Sequence, residues 1–238
     1  MARPHVGLPL LEGSLERYAE KYDLVELRPV DASLPKSATL RAWRRKVPPS
    51  FVFSVVFPRI VSELKPSPEL DKALEHALDV AREVEARCLV LATPPSVTPT
   101  DLNRKRLKAL VERIPHDAVS LAWEPRGLWE TDEAMALARD LDLVLVVDAA
   151  REAAPKGPIA YFRLRGLGES TRLSPAAIDK VAGELVARRE AYVVIETTSP
   201  ASVAQALRKK VVRRAAPGRG TGVVLKPRAT FHAEDEEQ

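Results

Sequence analysis

The sequence predicts a single-domain α/β fold, a TIM-barrel-like (βα)8 barrel, and three observations support this prediction. The chain has 238 residues, close to the roughly 250 that one such barrel takes. Apolar runs typical of strands buried on both faces recur along the chain, and amphipathic stretches follow most of them. No glycine-rich phosphate motif follows the first run, which disfavours the alternative of a doubly wound open sheet.

The predicted strands are short and rich in valine, leucine and isoleucine, as expected for parallel strands covered on both faces. They comprise residues 5–8, 24–28, 51–57, 88–92, 119–124, 143–148, 159–164 and 192–197.

Helices are predicted between most of these strands from apolar residues at 3.6-residue spacing. They comprise residues 14–22, 40–47, 70–84, 102–114, 131–141, 175–189 and 200–212. The dipeptides Ser67-Pro68, Ser174-Pro175 and Ser199-Pro200 are typical helix starts, because serine caps the helix and proline needs no donor at its first position. Residues 149–158, after the sixth strand, are predicted to form a loop.

Composition excludes few function classes. The chain carries 37 basic and 33 acidic residues, which permits weak nucleic-acid binding but does not indicate it. A single cysteine excludes a disulfide within the chain. Because no secretory leader pattern and no apolar segment of about 20 residues occur, we expect a cytoplasmic protein without a membrane partner.

The last part of the chain differs in composition from the rest. Residues 213–222 are basic and rich in turn formers, and residues 234–237 are all acidic. We therefore predict a barrel domain over residues 1–214 and a basic, then acidic, loosely ordered tail over residues 215–238. The alternative is that Arg219, flanked by glycines, forms an anion site.

Charged side chains lie at the carboxyl ends of several predicted strands, where (βα)8 barrels place their active sites. Side chains alternate between the two faces of a strand, so those sharing a face can be inferred. The predicted mouth holds Glu26, Arg28, Glu124, Arg126, Asp148, Arg163, Arg165 and Glu196.

Two interpretations of this mouth stay open. In the functional one, arginines bind a small anion such as a phosphate or sugar phosphate, and a carboxylate acts as general acid or base. The ligand-binding candidates are Arg126, Arg163, Arg28, Arg165 and Glu196, and the catalytic candidates are Glu124, Asp148 and Glu26. The structural interpretation is a mutually neutralising ion-pair network.

If the protein is an enzyme, fold analogy alone favours a hydrolase acting on a phosphate- or sugar-containing substrate. No cofactor is indicated by the sequence. Zinc is disfavoured because only His5, among four histidines, lies on a predicted strand, whereas a carboxylate site for magnesium or manganese stays open.

These residues resemble the YecE-like family, known as domain of unknown function 72. The resemblance extends from about residue 6 to residue 207 and includes Pro94-Pro95-Ser96, Glu124-Pro125-Arg126 with Trp129, Val147-Asp148 and residues 161–166. It implies a TIM-barrel-like fold and no established activity.

The resemblance is to a divergent member of that family. Arg28 stands where the family has asparagine, Arg165 where it has histidine, and Glu196-Thr197 where it has paired asparagines. Glu26, Glu124, Arg126, Asp148 and Arg163 match the family pattern. The resemblance therefore implies a conserved barrel whose mouth binds a different ligand or none.

A non-catalytic barrel that binds nucleic acid or a protein partner is the rival function. Its candidate contacts are Lys209, Lys210, Arg213, Arg214 and Arg219. The alternative is that these residues are solvated charges at the end of a helix, where lysine and arginine are favourable without any partner.

Overall fold

The structure, a computed structural model, describes residues 3–29, 36–115, 119–166 and 172–215, and these form a closed barrel of eight parallel strands. Each strand pairs with the next, and the last pairs with the first. The strands are β1 (Arg3–Leu8), β2 (Leu24–Leu27), β3 (Val52–Val56), β4 (Cys88–Thr93), β5 (Ser120–Pro125), β6 (Val144–Val147), β7 (Ile159–Arg165) and β8 (Glu190–Glu196). The predicted fold class is confirmed.

Helices surround the barrel. They are α1 (Leu15–Ala19), α2 (Ser37–Lys46), α3 (Arg59–Ser62), α4 (Pro68–Glu83), α5 (Asp101–Val111), α6 (Thr131–Asp140), α7 (Pro175–Val186) and α8 (Pro200–Ala215). The four-residue α3 was not predicted, because it is too short to show a helical period. Residues 148–158, all of them described, connect β6 to β7 without a helix, as the predicted loop implied.

Two of the predicted helix starts have the expected geometry. The Ser67 hydroxyl accepts a hydrogen bond from the backbone N–H of Leu70 at 3.1 Å, and the Ser174 hydroxyl accepts one from Ala177 at 3.1 Å. Proline occupies the first helical turn in both α4 and α7. Local sequence therefore sets where these helices begin.

The core has two layers, because each strand turns alternate side chains inward and outward. Outward side chains pack against the helices and form the larger cluster. The inward hydrophobic side chains are Leu24, Val52, Val56, Cys88, Val90, Ala122, Val146, Tyr161, Tyr192 and Val194, which fill the barrel below its mouth.

Among the described residues, no helix is long and apolar enough to cross a membrane. The predicted tail lies outside the described residues, except for Ala215, which is the last residue of α8.

Candidate functional site at the barrel mouth

Arg163 lies at the centre of the barrel mouth and is completely buried. Its Nη1 and Nη2 donate to the two carboxylate oxygens of Glu26 at 3.0 and 2.6 Å, and Nη1 also donates to Glu196 at 2.6 Å. Its Nε lies 3.1 Å from Oε2 of Glu124, at an angle that makes this an ion pair rather than a hydrogen bond. One cation thus holds three carboxylates from β2, β5 and β8.

A second arginine from the same strand lies above this centre. Arg165 Nε donates to Glu196 Oε2 at 3.0 Å, and its Nη2 donates to Glu124 Oε1. The backbone N–H of Arg165 donates to Asp148 at 3.2 Å. Since alternate residues of β7 point the same way, Arg163 and Arg165 stack into two levels of the mouth.

Two further arginines complete the network at its edge. Arg126 Nε and Nη2 donate to the two oxygens of Glu124 at 3.1 and 3.3 Å. Arg28 Nη2 donates to Glu26 at 3.1 Å. The structure therefore brings all eight residues of the predicted mouth into one connected network.

Glu124 is ionised in this environment. Its burial would raise the pKa of the carboxyl, but the charge of Arg163 and the hydrogen bonds from Arg126 and Arg165 outweigh it and hold the pKa below its ordinary value. At neutral pH this carboxylate has no proton to give. The geometry thus fits Glu124 as a base or an electrostatic partner and not as a general acid.

Several residues of the mouth were not predicted from the sequence. The Tyr161 hydroxyl donates to Glu26 at 2.6 Å and lies 3.2 Å from the Ser54 hydroxyl. Burial and the charge of Glu26 raise the pKa of Tyr161 well above its ordinary value, so it stays a neutral donor. The available signal was its position two residues before Arg163 on the same strand face.

Arg151, in the loop after β6, was also missed. Its Nε lies 3.4 Å from Asp148, and its Nη2 donates to the backbone carbonyls of Arg165 and Gly166 at 2.9 Å each. Its spacing of three residues from Asp148 was the only sequence signal. Loop conformation, which spacing alone does not determine, places it at the mouth.

A cavity of about 320 Å³ opens at the mouth between β5, β6 and β7. Its charged lining comprises Arg126, Arg151, Arg163, Arg165, Glu124, Asp148 and Glu152, and so carries one positive charge in excess. Within the described part of the chain, Nη1 of Arg126, Arg151 and Arg165 has no hydrogen-bond partner. These three side chains are 43%, 38% and 39% exposed.

The turn after β5 positions Arg126. Its backbone N–H donates to the carbonyl of Thr93 at 3.2 Å, and the indole of Trp129 donates to the carbonyl of Val97 at 2.8 Å. Gly127 has a φ of +100°, and a Cβ there would lie 2.9 Å from Cα of Pro95. The turn therefore requires glycine for both its conformation and its close approach to the loop after β4.

Other predicted features lie away from this site. His5 lies 3.9 Å from Glu190, which begins β8, so it belongs to the amino end of the barrel. No group of three or more His, Cys, Asp or Glu side chains in the described residues is arranged to hold a metal ion. In α8, Lys210 and Arg214 both pair with Asp179 at 2.8 Å, and Arg219 lies outside the described residues.

The family model described as protein of unknown function DUF72 matches residues 7–225, which is most of the chain. The chain belongs to this family. The resemblance seen in the sequence is thereby confirmed, and the DUF72 family itself has no assigned function. No curated protein is significantly similar in sequence to this chain.

Solved structures agree with this assignment at the level of the fold. A DUF72 family protein from Enterococcus faecalis V583 is 16% identical, with a TM-score of 0.70 over 88% of this chain and 96% of that chain. One from Thermotoga maritima MSB8 is 18% identical, with a TM-score of 0.61 over 88% and 99%. A xylose isomerase domain-containing protein from Salmonella typhimurium LT2 is 17% identical, with a TM-score of 0.58 over 84% and 92%.

Proposed function

We propose that this DUF72 protein binds a small anion, such as a phosphate or a sugar phosphate, at the carboxyl-end mouth of its barrel. The observation that carries the proposal is that three arginines lining one cavity, Arg126, Arg151 and Arg165, each have an Nη1 group without a hydrogen-bond partner in the described part of the chain. Guanidinium edges are well suited to bidentate binding of phosphate or carboxylate oxygens.

The buried layer beneath has a positioning role in this proposal. Arg163 is fully engaged by carboxylates, so it orients Glu124 and Glu196, which in turn orient Arg126 and Arg165. Arg28, bound to Glu26 and to the carbonyl of Pro9 at 3.3 Å, extends the same network towards β1. In this proposal both interpretations of the mouth apply, at different depths. The ion-pair network around Arg163 lies deeper in the barrel, and the anion-binding surface lies nearer to solvent.

The described residues favour binding over hydrolysis as the activity. Hydrolysis commonly needs an acid that protonates the leaving group, and the lowered pKa of Glu124 removes that role at neutral pH. Asp148 accepts from the backbone N–H groups of Ala150 and Arg165 and pairs with Arg151. Both carboxylates then serve to hold arginines.

Arg126→Ala tests the proposal. It should abolish binding of inorganic phosphate and sugar phosphates, while unfolding free energy changes by no more than about 1 kcal/mol, because Glu124 keeps two other arginines. Binding is measured by isothermal titration calorimetry and by thermal shift. A ligand concentration one hundred times Kd should raise the free energy of unfolding by roughly 2.7 kcal/mol.

Arg113→Ala is the matched control. This arginine, two residues beyond the end of α5, is similarly exposed and pairs with one carboxylate, Asp71, at 2.7 Å. It should leave phosphate binding unchanged. The proposal is contradicted if both variants lose phosphate binding equally, or if Arg126→Ala still binds phosphate.

A further inference from the structure

The carboxylates of the mouth set the net charge that a bound anion meets. Four arginines and three carboxylates line the cavity, which leaves an excess of one positive charge. The connected network of the mouth has the same excess, because its members in the described chain are five arginines and four carboxylates. They are Arg28, Arg126, Arg151, Arg163, Arg165, Glu26, Glu124, Asp148 and Glu196. One negative charge on a ligand therefore neutralises either set.

The three arginines whose Nη1 lacks a hydrogen-bond partner in the described chain are each paired with a carboxylate of the protein. Arg126 and Arg165 both donate to Glu124. Nε of Arg151 lies 3.4 Å from Oδ2 of Asp148. A ligand held by these Nη1 groups would lie near the same carboxylates, and their repulsion would grow with each negative charge that the ligand carries.

The amino end of α6 also reaches the cavity, through Thr131, without changing this balance. The amino end of a helix carries a partial positive charge that favours anions. In α6, however, Glu130 directly precedes the helix and Asp132 lies in its first turn. Because these two carboxylates offset the helix dipole, α6 does not compensate a second negative charge on a ligand.

We propose that the mouth selects an oxyanion with a single negative charge, as in a phosphodiester or a carboxylate, over a doubly charged phosphomonoester or sulfate. The inference rests on the proposed function and narrows its class of ligand. A singly charged group can still accept two hydrogen bonds from one guanidinium, because two oxygens share its charge. A second negative charge would stay uncompensated near Glu124 and Asp148, and removing it from water would cost more free energy.

The charge of the cavity is constant over the pH range in which a phosphomonoester changes its own charge. Arginine and carboxylate side chains ordinarily titrate outside pH 5.5 to 8, and the described lining holds no histidine, cysteine, lysine or tyrosine. The lowered pKa of Glu124 moves this group further from that range. A phosphomonoester, by contrast, gains its second negative charge near pH 6. The pH dependence of its binding therefore reports the charge of the ligand.

Calorimetry on the full-length protein compares methyl phosphate, dimethyl phosphate, formate and sulfate at pH 5.5 and pH 8. If the singly charged form alone binds, the Kd of methyl phosphate should rise by about 75-fold between these pH values, as expected for a second pKa of about 6. Dimethyl phosphate and formate carry one charge at both pH values, so their Kd should stay constant. Sulfate, which is doubly charged throughout, should bind more weakly than dimethyl phosphate. The tighter of dimethyl phosphate and formate distinguishes a phosphodiester ligand from a carboxylate.

Glu152→Gln tests whether the charge of the lining causes the selection. Glu152 lines the cavity, is exposed and has no ion-pair partner in the described chain. The substitution therefore makes the lining more positive by one charge and leaves the ion-pair network intact. It should tighten sulfate binding and reduce the rise in the Kd of methyl phosphate with pH. Glu112→Gln, which changes the charge of the protein equally but lies outside the cavity, is the matched control and should behave as wild type.

The outcomes separate this inference from the proposed function. If Arg126→Ala abolishes binding, but wild type binds methyl phosphate at pH 8 at least as tightly as at pH 5.5, the anion site stands and the charge selection is overturned. Sulfate that binds as tightly as dimethyl phosphate also overturns the selection, as does an equal effect of Glu152→Gln and Glu112→Gln. If none of the four anions binds, or if Arg126→Ala binds them as wild type does, both proposals are overturned.

Discussion

At Arg163 a full positive charge is enclosed in the barrel, where an isolated ion would cost several kcal/mol of desolvation. The three carboxylates around it compensate that charge. The attraction of Glu26 and Glu124 outweighs the effect of burial and raises the pKa of the guanidinium. Such a cluster adds little net stability compared with apolar packing. Removal of one member nevertheless destabilises the fold strongly, because it leaves the other charges buried without a partner.

Arg163→Leu should therefore destabilise the fold by about 3–5 kcal/mol, because Glu26 and Glu124 stay buried without their shared partner. Urea unfolding measures the loss. Arg151→Ala, which removes a half-exposed arginine from the same mouth, should cost no more than about 1 kcal/mol. A loss below 1 kcal/mol in Arg163→Leu would show that the carboxylates rearrange towards solvent.

Among the elements, the turn that joins β5 to α6 shapes the candidate site most directly. It carries Arg126, and its packing against the loop after β4 is close enough to exclude any side chain at Gly127. The buried indole of Trp123 donates to Thr93 at 3.1 Å and so ties the same two strand ends together. These contacts make the turn rigid, which reduces the entropy that ligand binding would cost.

Comparison of two glycine substitutions tests this element. Gly13 and Gly127 both have a positive φ, but nothing lies within 4 Å of a Cβ at Gly13, whereas Gly127 meets the backbone of Pro95. Gly13→Ala should cost about 1–2 kcal/mol from its backbone conformation alone. Gly127→Ala should cost more and also weaken phosphate binding, measured by urea unfolding and calorimetry. Equal costs in the two variants would contradict this role of Pro95.

For the whole molecule, the mouth network links stability to pH. The folded state holds the pKa of Glu124 below its ordinary value, so the folded protein binds that proton more weakly than the unfolded chain. The stabilisation is fully present above the ordinary carboxyl pKa, about 4.3, and is lost as the pH falls below it.

Unfolding free energy measured in urea between pH 3 and pH 7 should accordingly fall on the acid side of about pH 4.3. Glu124→Gln should make this acid dependence smaller, whatever its effect on stability at neutral pH. Glu112→Gln, at the exposed residue that follows α5, is the control and should leave the profile unchanged. Identical acid profiles in wild type and Glu124→Gln would show that other carboxyls govern acid unfolding.

Much of the architecture was predictable because its signals are local. Apolar runs indicated the eight strands, serine–proline pairs indicated where α4 and α7 begin, and the missing helix before β7 was visible as a loop. The mouth was predictable for a related reason. Strand alternation assigns each side chain to a face, and the carboxyl ends of parallel strands in a barrel meet at one rim.

Which arginines are buried in the ion-pair network and which are exposed at the cavity was not predictable, because this depends on strand register and on contacts between distant residues. Arg163 and Glu26 are 137 residues apart in the sequence. Nothing in the sequence near either residue indicates that Arg163 is buried, whereas Arg126 and Arg165 are partly exposed. The position of Arg151 depends on how the loop after β6 is held by Lys180 of α7 and by Arg188, which follows that helix. Periodicity assigns a residue to a face, whereas its partners and exposure follow from how the whole barrel closes.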